Sequence, residues 1–154
     1  MPVEVGSQIP DFTAASTAGE ISLSSLQGSK VVLYFYPKDN TPGCTTQGGD
    51  FRDAHQAFTD SDTVILGVSR DSLRSHEGFK SKQGFPFELI SDADESLCTL
   101  FGVIKMKNMY GKQVRGIERS TFVIDAEGRL VREWRGVKVP GHVAQVLEFV
   151  RSIG

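Results

Sequence analysis

An apolar run that leads into a turn and then into a helix start is the feature that most constrains the fold. The run is Val31-Val32-Leu33, and it predicts a buried strand over residues 30–35. Residues 37–40 include Pro, Asp and Asn, which favour a turn. Thr41 directly before Pro42 is typical of a helix start, with Thr at the N-cap and Pro at the first helical position. The sequence therefore predicts a strand, a loop and a helix over about 42–59.

This arrangement places Cys44 in the first turn of the predicted helix, where unpaired N–H groups and the positive end of the helix dipole converge. A free thiol has a pKa of about 8.5, so little of it is the nucleophilic thiolate at neutral pH. A helix N-terminus and a nearby cation favour the thiolate. Gly43 has no side chain to obstruct a polar substrate that approaches the sulfur. Cys44 is predicted to be a nucleophile; the alternative is a buried packing thiol.

Strands and helices alternate along much of the remaining chain. We expect an N-terminal hairpin within 7–23, strands at 63–69 and 85–90, a hairpin over 121–134, and helices at 72–83, near 97–101 and at 143–153. Residues 105–118 are polar and are predicted to be irregular. The alternation predicts one α/β domain over residues 1–154, with a mostly central sheet covered on both faces.

Two motifs carry a resemblance to a known family. Pro37-x-x-x-Thr41-x-x-Cys44 resembles the signature of the peroxiredoxins, and residues 35–46 (FYPKDNTPGCTT) are similar to the bacterioferritin comigratory protein, or Q-type, subfamily. Residues 118–125 (ERSTFVID) provide a second match. The resemblance spans residues 6 to about 150. It implies a thioredoxin-like fold, with a central mixed β-sheet flanked by helices and an N-terminal β-hairpin.

The resemblance also implies an activity. It implies a thiol peroxidase that reduces hydrogen peroxide and organic hydroperoxides to water or alcohols. The reaction would pass through a sulfenic acid on Cys44 and would serve antioxidant defence and redox homeostasis. Thr41 would orient the peroxide and the thiolate, with a simple N-cap as its alternative role. Arg119 would stabilise the thiolate and contact the peroxide, rather than being a solvated surface cation. Pro37 and Gly43 would shape the substrate site, Pro37 by shielding the thiol. Gln47 stands where the family often has Glu.

How Cys44 is recycled remains open at this stage. Many family members carry a resolving cysteine five residues later or on the next helix, but this chain has Gly49 and Lys80 at those positions. The other thiol, Cys98, is either a packing residue, so that an external thiol reduces Cys44, or the partner of Cys44 in an intramolecular disulfide. The disulfide would require the first helix to unwind. The pair Gly48-Gly49 costs that helix about 1 kcal/mol per glycine, so we expect it to open easily.

The net charge, the apolar runs and the number of cysteines indicate which partners and which cellular location to expect. The net charge of -2 provides no basic field for nucleic acid, and no run approaches the roughly 18 apolar residues of a membrane span. Residues 1–5 lack the features of a signal peptide, and two cysteines are too few for a secreted disulfide framework, so we expect a cytoplasmic protein. The resemblance implies thioredoxin or a glutathione/glutaredoxin couple as reductant, and it favours a monomer.

No cofactor or metal is expected. The glycines form neither a phosphate-binding loop nor a dinucleotide fingerprint. The three histidines have no metal-ligand spacing with the cysteines and are predicted to be surface or structural residues. They are His55, His76 and His142.

Three other functions compete with the peroxidase. A disulfide oxidoreductase needs Cys-x-x-Cys, but the fourth residue of that motif is Gln47 here. A Cys-His hydrolase would need a histidine that the sequence around Cys44 does not supply. A redox sensor that keeps the reactive thiol would be distinguished by its lack of turnover.

Overall fold

The computed structural model describes residues 2–153 and has a mixed β-sheet with helices on both faces. The strands in chain order are β1 (Thr13–Ser16), β2 (Gly19–Ser22), β3 (Lys30–Phe35), β4 (Thr63–Ser69), β5 (Glu88–Ser91), β6 (Ile104–Met109), β7 (Lys112–Ile117), β8 (Ser120–Ile124) and β9 (Leu130–Arg135). The α-helices are α1 (Pro42–Asp60), α2 (Leu73–Gln83), α3 (Ser96–Phe101) and α4 (His142–Ser152), with a 3-10 turn at Ser24–Leu26.

The main sheet has the strand order β2-β1-β5-β4-β3-β8-β9. Strand β3 runs parallel to β4 and antiparallel to β8, and β4 runs parallel to β5. Strands β1 and β2 form the N-terminal hairpin, and β1 pairs antiparallel with β5. The central mixed sheet and the N-terminal hairpin have the arrangement that the resemblance implies.

Strand β3 separates two hydrophobic clusters, because alternate side chains of a strand point to opposite faces of the sheet. Its even-numbered residues 32 and 34 join the α1-side cluster, which contains Cys44, Phe51 and Phe58 of helix α1. Its odd-numbered residues 31, 33 and 35 join the α3-side cluster, which contains Leu97, Cys98 and Phe101 of helix α3. The two cysteines of the chain therefore lie on opposite faces of the sheet.

Local signals predicted most element boundaries. Strands β3 and β4 have the predicted bounds, and α1 ends one residue later than expected. Helix α2 starts where the side chain of Ser72 accepts a hydrogen bond from the Ser75 N–H, and it ends at Gly84 in the left-handed conformation. The predicted strand at 85–90 is shorter and later, at Glu88–Ser91.

The prediction that residues 105–118 are irregular is wrong. Strands β6 and β7 form an antiparallel hairpin that makes its own two-stranded sheet. Its turn residues Tyr110 and Gly111 both have positive φ, 53° and 79°, as a tight hairpin turn requires. Because much of this ribbon is exposed, its sequence lacks the apolar alternation that identifies a half-buried strand.

The predicted single domain over residues 1–154 remains a prediction, and its end residues Met1 and Gly154 lie outside the described part of the chain. Within residues 2–153, no helix combines the length and the apolar character needed to span a membrane.

Candidate active site

The loop after β3 delivers Cys44 to the start of α1. Thr41 is the N-cap residue in an extended conformation, and Pro42 occupies the first helical turn, as predicted. Gly43 and Cys44 follow, and their N–H groups belong to the first turn, where a helix supplies no backbone acceptor. The Cys44 side chain is buried in the α1-side cluster, and only 2% of the residue is exposed. Pro37 is half-buried at the start of the loop.

A buried network around Asp39 fastens this loop to helix α2. The Asp39 carboxylate accepts hydrogen bonds from the Tyr36 hydroxyl at 2.7 Å and the Ser75 hydroxyl at 2.8 Å. Nδ1 of His76 lies 2.7 Å from the same carboxylate, and Nε2 of His76 donates to the Ile90 carbonyl at 2.9 Å. The loop is therefore bonded to α2 through Asp39 and His76, whose side chains are 1% and 0% exposed.

The same network includes the Asp71 carboxylate, whose oxygen accepts from the Asp39 N–H at 2.9 Å and from the Ser69 hydroxyl at 2.6 Å. Ligand atoms of Asp39, Asp71 and His76 all lie within 4.8 Å of one another, close enough to bind a metal ion. However, these atoms are already engaged by the donors and acceptors of the network. The arrangement therefore fits a structural hydrogen-bond network, in line with the structural role predicted for His76.

Arg119 reaches Cys44 because of strand pairing. It lies directly before β8, and Ser120 at the start of β8 pairs with Phe35 at the end of β3. The guanidinium Nη2 lies 3.4 Å from the Cys44 sulfur. A Cβ atom on Gly43 would lie 3.1 Å from the same Nη2, so the missing side chain leaves room for the guanidinium. Arg119 therefore provides a positive charge and hydrogen-bond donors beside the Cys44 sulfur.

Gln47 lies one turn after Cys44 and is fully buried. Its Oε1 accepts a hydrogen bond from Arg119 Nη1 at 2.6 Å. Its Nε2 has no hydrogen-bond partner among the residues that the structure describes. In the sequence, Gln47 is notable only because the family often has Glu at this position. No local pattern predicts its contact with Arg119, which lies far along the chain.

The Thr41 hydroxyl does not cap the helix. It donates to the Lys38 carbonyl at 2.8 Å instead, and no side-chain cap bond is formed at this N-cap. The Thr41 hydroxyl donates its proton to the Lys38 carbonyl. The lone pairs of its oxygen therefore remain available to accept a hydrogen bond from a ligand. The alternative in which Thr41 serves only to cap α1 is therefore not supported by this geometry.

Cys98 is not brought near Cys44. It is fully buried in the α3-side cluster, across the sheet from Cys44. Its backbone N–H donates to the Asp92 carboxylate at 2.7 Å. Burial, followed by the nearby Asp92 carboxylate, raises the pKa of the Cys98 thiol far above its ordinary value. A thiol of such high pKa stays protonated at neutral pH and attacks slowly. Together with the burial of Cys98 across the sheet, this favours the packing role over the resolving role.

The remaining histidines are not part of the contacts around the sulfur. His142 begins α4, and its Nε2 lies 2.8 Å from the Thr121 hydroxyl. Burial lowers the pKa of His142 to about 4, with a further contribution from the positive charge of Arg119, so this side chain is neutral at neutral pH. His55 is half-buried on α1.

Solved structures of similar proteins confirm the predicted thioredoxin-like fold, with its central mixed sheet and N-terminal hairpin. A family model described as the AhpC/TSA family matches residues 5–133. The chain is 49% identical to "Peroxiredoxin Bcp" of Bacillus subtilis, over 99% of this chain and 98% of the relative. It resembles the structure of Xanthomonas campestris Peroxiredoxin Q with a TM-score of 0.87 and 52% identity, covering 92% of this chain and 90% of the other.

Two further solved structures are similar. A cysteine-to-serine mutant of PrxQ from Xylella fastidiosa has a TM-score of 0.93 and 43% identity, covering 99% of this chain and 98% of the other. The X. campestris bacterioferritin comigratory protein, solved in work on its alkyl peroxide reduction activity, has a TM-score of 0.88 and 51% identity. It covers 92% of this chain and 91% of the other.

Proposed function

The chain belongs to the AhpC/TSA family as a thiol peroxidase of the Bcp/Q-type peroxiredoxins, and from that premise we propose that Cys44 is its peroxidatic nucleophile and Arg119 and Thr41 are its catalytic partners. The observation that carries this assignment is the 3.4 Å contact between Arg119 Nη2 and the Cys44 sulfur at the start of α1. Pro37 and Gly43 shape the substrate site.

The reaction begins with a thiolate on Cys44. Its sulfur attacks one oxygen of the hydroperoxide, so that an S–O bond forms while the O–O bond breaks. The electron pair of the broken bond goes to the departing oxygen, which takes up a proton and leaves as water or an alcohol. Negative charge builds on that oxygen, and the guanidinium of Arg119 stabilises it because it carries a permanent charge and several donors. Cys44 is left as a sulfenic acid.

Thr41 orients the peroxide in this scheme. Its hydroxyl donates to the Lys38 carbonyl, so its oxygen is an acceptor for the O–H of a hydroperoxide. The first-turn N–H groups of α1 add donors on the side of the sulfur. The alkyl peroxide activity of the X. campestris relative supports organic hydroperoxides as substrates in addition to hydrogen peroxide.

We propose that an external thiol regenerates Cys44. The sulfenic acid condenses with that thiol to a mixed disulfide and water, and a second thiol then displaces Cys44. The position of Cys98 across the sheet supports this route over an internal disulfide. Thioredoxin or a glutathione/glutaredoxin couple is the proposed reductant. Because both cysteines are free, a reducing cytoplasm is the proposed setting, and a monomer is the proposed state.

A mass measurement tests the assignment. Reduced wild type, Cys98→Ser and Cys44→Ser would each receive one equivalent of hydrogen peroxide and a sulfenic-acid trap. We expect wild type and Cys98→Ser to take up one trap each, and Cys44→Ser to take up none. If wild type instead loses two hydrogens and takes no trap, Cys98 resolves Cys44 within the chain. If Cys44→Ser still consumes peroxide, the assignment of the nucleophile is wrong.

Turnover separates the remaining alternatives. Steady-state peroxide consumption would be followed with thioredoxin and its reductase, and separately with glutathione and glutaredoxin. Continuous consumption with either couple supports the peroxidase cycle. A single equivalent consumed with both couples would indicate a redox sensor that passes its oxidation to another protein.

A further inference from the structure

The peptide bond between Lys38 and Asp39 connects the Thr41 hydroxyl to the loop before α2. This peptide is trans, so it is planar and its N–H and C=O point in opposite directions. Its N–H, which belongs to Asp39, donates to the Asp71 carboxylate at 2.9 Å. Its C=O, which belongs to Lys38, accepts from the Thr41 hydroxyl at 2.8 Å. The plane that receives the Thr41 proton is therefore held at its other end by Asp71.

Asp71 is itself attached to a central strand of the sheet. The Asp71 oxygen that accepts from Asp39 also accepts from the Ser69 hydroxyl at 2.6 Å. Ser69 ends β4 and is fully buried. The chain turns at Asn40, which has a φ of 63°, and left-handed conformations persist where the surroundings hold them. Asp71 therefore anchors the turn that leads to Thr41.

The side chain of Asp39 provides a second anchor. Nδ1 of His76 lies 2.7 Å from the Asp39 carboxylate, and Nε2 of His76 lies 2.9 Å from the Ile90 carbonyl. A carbonyl can only accept, so Nε2 carries one proton, and the short contact between Nδ1 and a carboxylate oxygen requires another proton between them. Asp39 and His76 are thus joined by a hydrogen bond whose two side chains are both buried.

We propose that Asp71 and His76 are positioning residues for the peroxide reaction. Both act on Asp39, Asp71 through its backbone N–H and His76 through its carboxylate. Together they fix the peptide that receives the Thr41 proton, and so the direction in which the Thr41 oxygen offers its lone pairs to a hydroperoxide. The inference rests on the proposed function, in which Thr41 orients the peroxide.

Paired substitutions test each anchor. Asp71→Asn keeps a side-chain oxygen that accepts from the Asp39 N–H, whereas Asp71→Ala removes the acceptor. His76→Asn keeps a donor at the place of Nδ1, and so the hydrogen bond to Asp39. His76→Gln keeps a donor at the place of Nε2, and so only the hydrogen bond to the Ile90 carbonyl.

The same substitutions at Asp53 and His55 are matched controls, because these residues lie on α1 outside the network, Asp53 exposed and His55 half-buried. Thermal unfolding of every variant would establish that it folds. Ser75→Ala is a milder variant in case His76→Gln does not fold. It removes a single hydroxyl donor to the Asp39 carboxylate, now at 2.8 Å, and should lower the peroxide rate in the same direction.

Each variant would be tested with hydrogen peroxide and with the alkylating reagent iodoacetamide over a range of pH. Alkylation needs the Cys44 thiolate but not the Thr41 hydroxyl. On the plateau of the pH profile, we expect Asp71→Ala and His76→Gln to lower the peroxide rate by roughly 10- to 100-fold, the order that a misplaced positioning group costs. Asp71→Asn and His76→Asn should keep most of the wild-type peroxide rate. Alkylation should be at least as fast as in wild type in all four variants.

The rescue by asparagine distinguishes positioning from a merely structural role. For each anchor, the inference is refuted if both variants keep the wild-type peroxide rate, if both lose it to the same extent, or if peroxide and iodoacetamide slow equally. The Asp53 and His55 variants should change neither rate. Thr41→Val with the wild-type peroxide rate would refute the proposed role of Thr41, and a wild-type protein that does not consume peroxide would refute the proposed function itself.

Discussion

Two adjacent glycines in helix α1 should respond in opposite directions to the same substitution. A Cβ atom on Gly48 would lie 2.4 Å from Cζ of Phe85, far inside van der Waals contact. A Cβ atom on Gly49 would meet nothing closer than Arg52 Nη2, at an ordinary 3.4 Å. Replacing either glycine by alanine improves helix propensity by about 1 kcal/mol. The side chains around each glycine therefore decide whether the substitution raises or lowers the free energy of unfolding.

The ring of Phe85 has little room to yield at Gly48. It stacks on Phe87 at 5.0 Å and packs edge-on against Phe79 at 5.0 Å, and it is 4% exposed. Overpacking of a well-packed core costs roughly 1–3 kcal/mol. After the gain in propensity, we expect Gly48→Ala to lower the free energy of unfolding by up to about 2 kcal/mol. Gly49→Ala should raise it by about 0.5–1 kcal/mol.

Urea denaturation of the two variants beside wild type would measure both values. In thermal unfolding, a domain of this size changes its midpoint by roughly 2–4 °C per kcal/mol. Peroxide consumption would show that the site is intact. Equal stabilisation by both alanines would refute the reasoning, because it would mean that Phe85 moves aside at no cost. Equal destabilisation would mean that Gly49 also has a packing role.

Three further outcomes are expected. Amide exchange should be faster over residues 45–51 than over residues 63–69, because the first segment lies near the start of a glycine-weakened helix and the second is a central strand; equal protection would contradict this. Glu95 pairs with Arg115 of β7, and hydrogen bonds from Arg115 and another arginine lower its pKa to about 2. Glu95→Gln removes this ion pair with β7, so proteolysis of the β6–β7 hairpin should become faster. Acidification from about pH 4.5 toward 2 protonates Glu95, so it should speed proteolysis in wild type but not in Glu95→Gln. His142 binds a proton less readily in the folded state (pKa about 4, against 6.5 for the free side chain), so stability should fall as pH drops from 6.5 to 4. In urea denaturation at several pH values, His142→Asn should lack that part of the dependence, and an unchanged slope would refute the assignment.

Short-range signals in the sequence were enough to predict the strand, loop and helix that carry Cys44. An apolar run, turn-forming residues and Thr41-Pro42 act within a few residues of one another, and the structure has β3, the N-cap and α1 where they predicted. The glycine that ends α2 is a signal of the same kind. Arg119 was found through its motif, and its reach to the end of β3 follows from the pairing of β8 with β3.

Residues whose roles depend on distant partners could not be predicted in the same way. The contact of Gln47 with Arg119 exists only because β8 lies beside β3, and the fit of Gly48 depends on an aromatic ring after α2. The β6–β7 hairpin escaped prediction because an exposed ribbon needs no apolar alternation. The separation of Cys98 from Cys44 was decided by the side of the sheet on which α3 packs. Sequence determines local conformation through neighbouring residues, whereas the chemistry at the sulfur depends on strand pairing and packing over long separations.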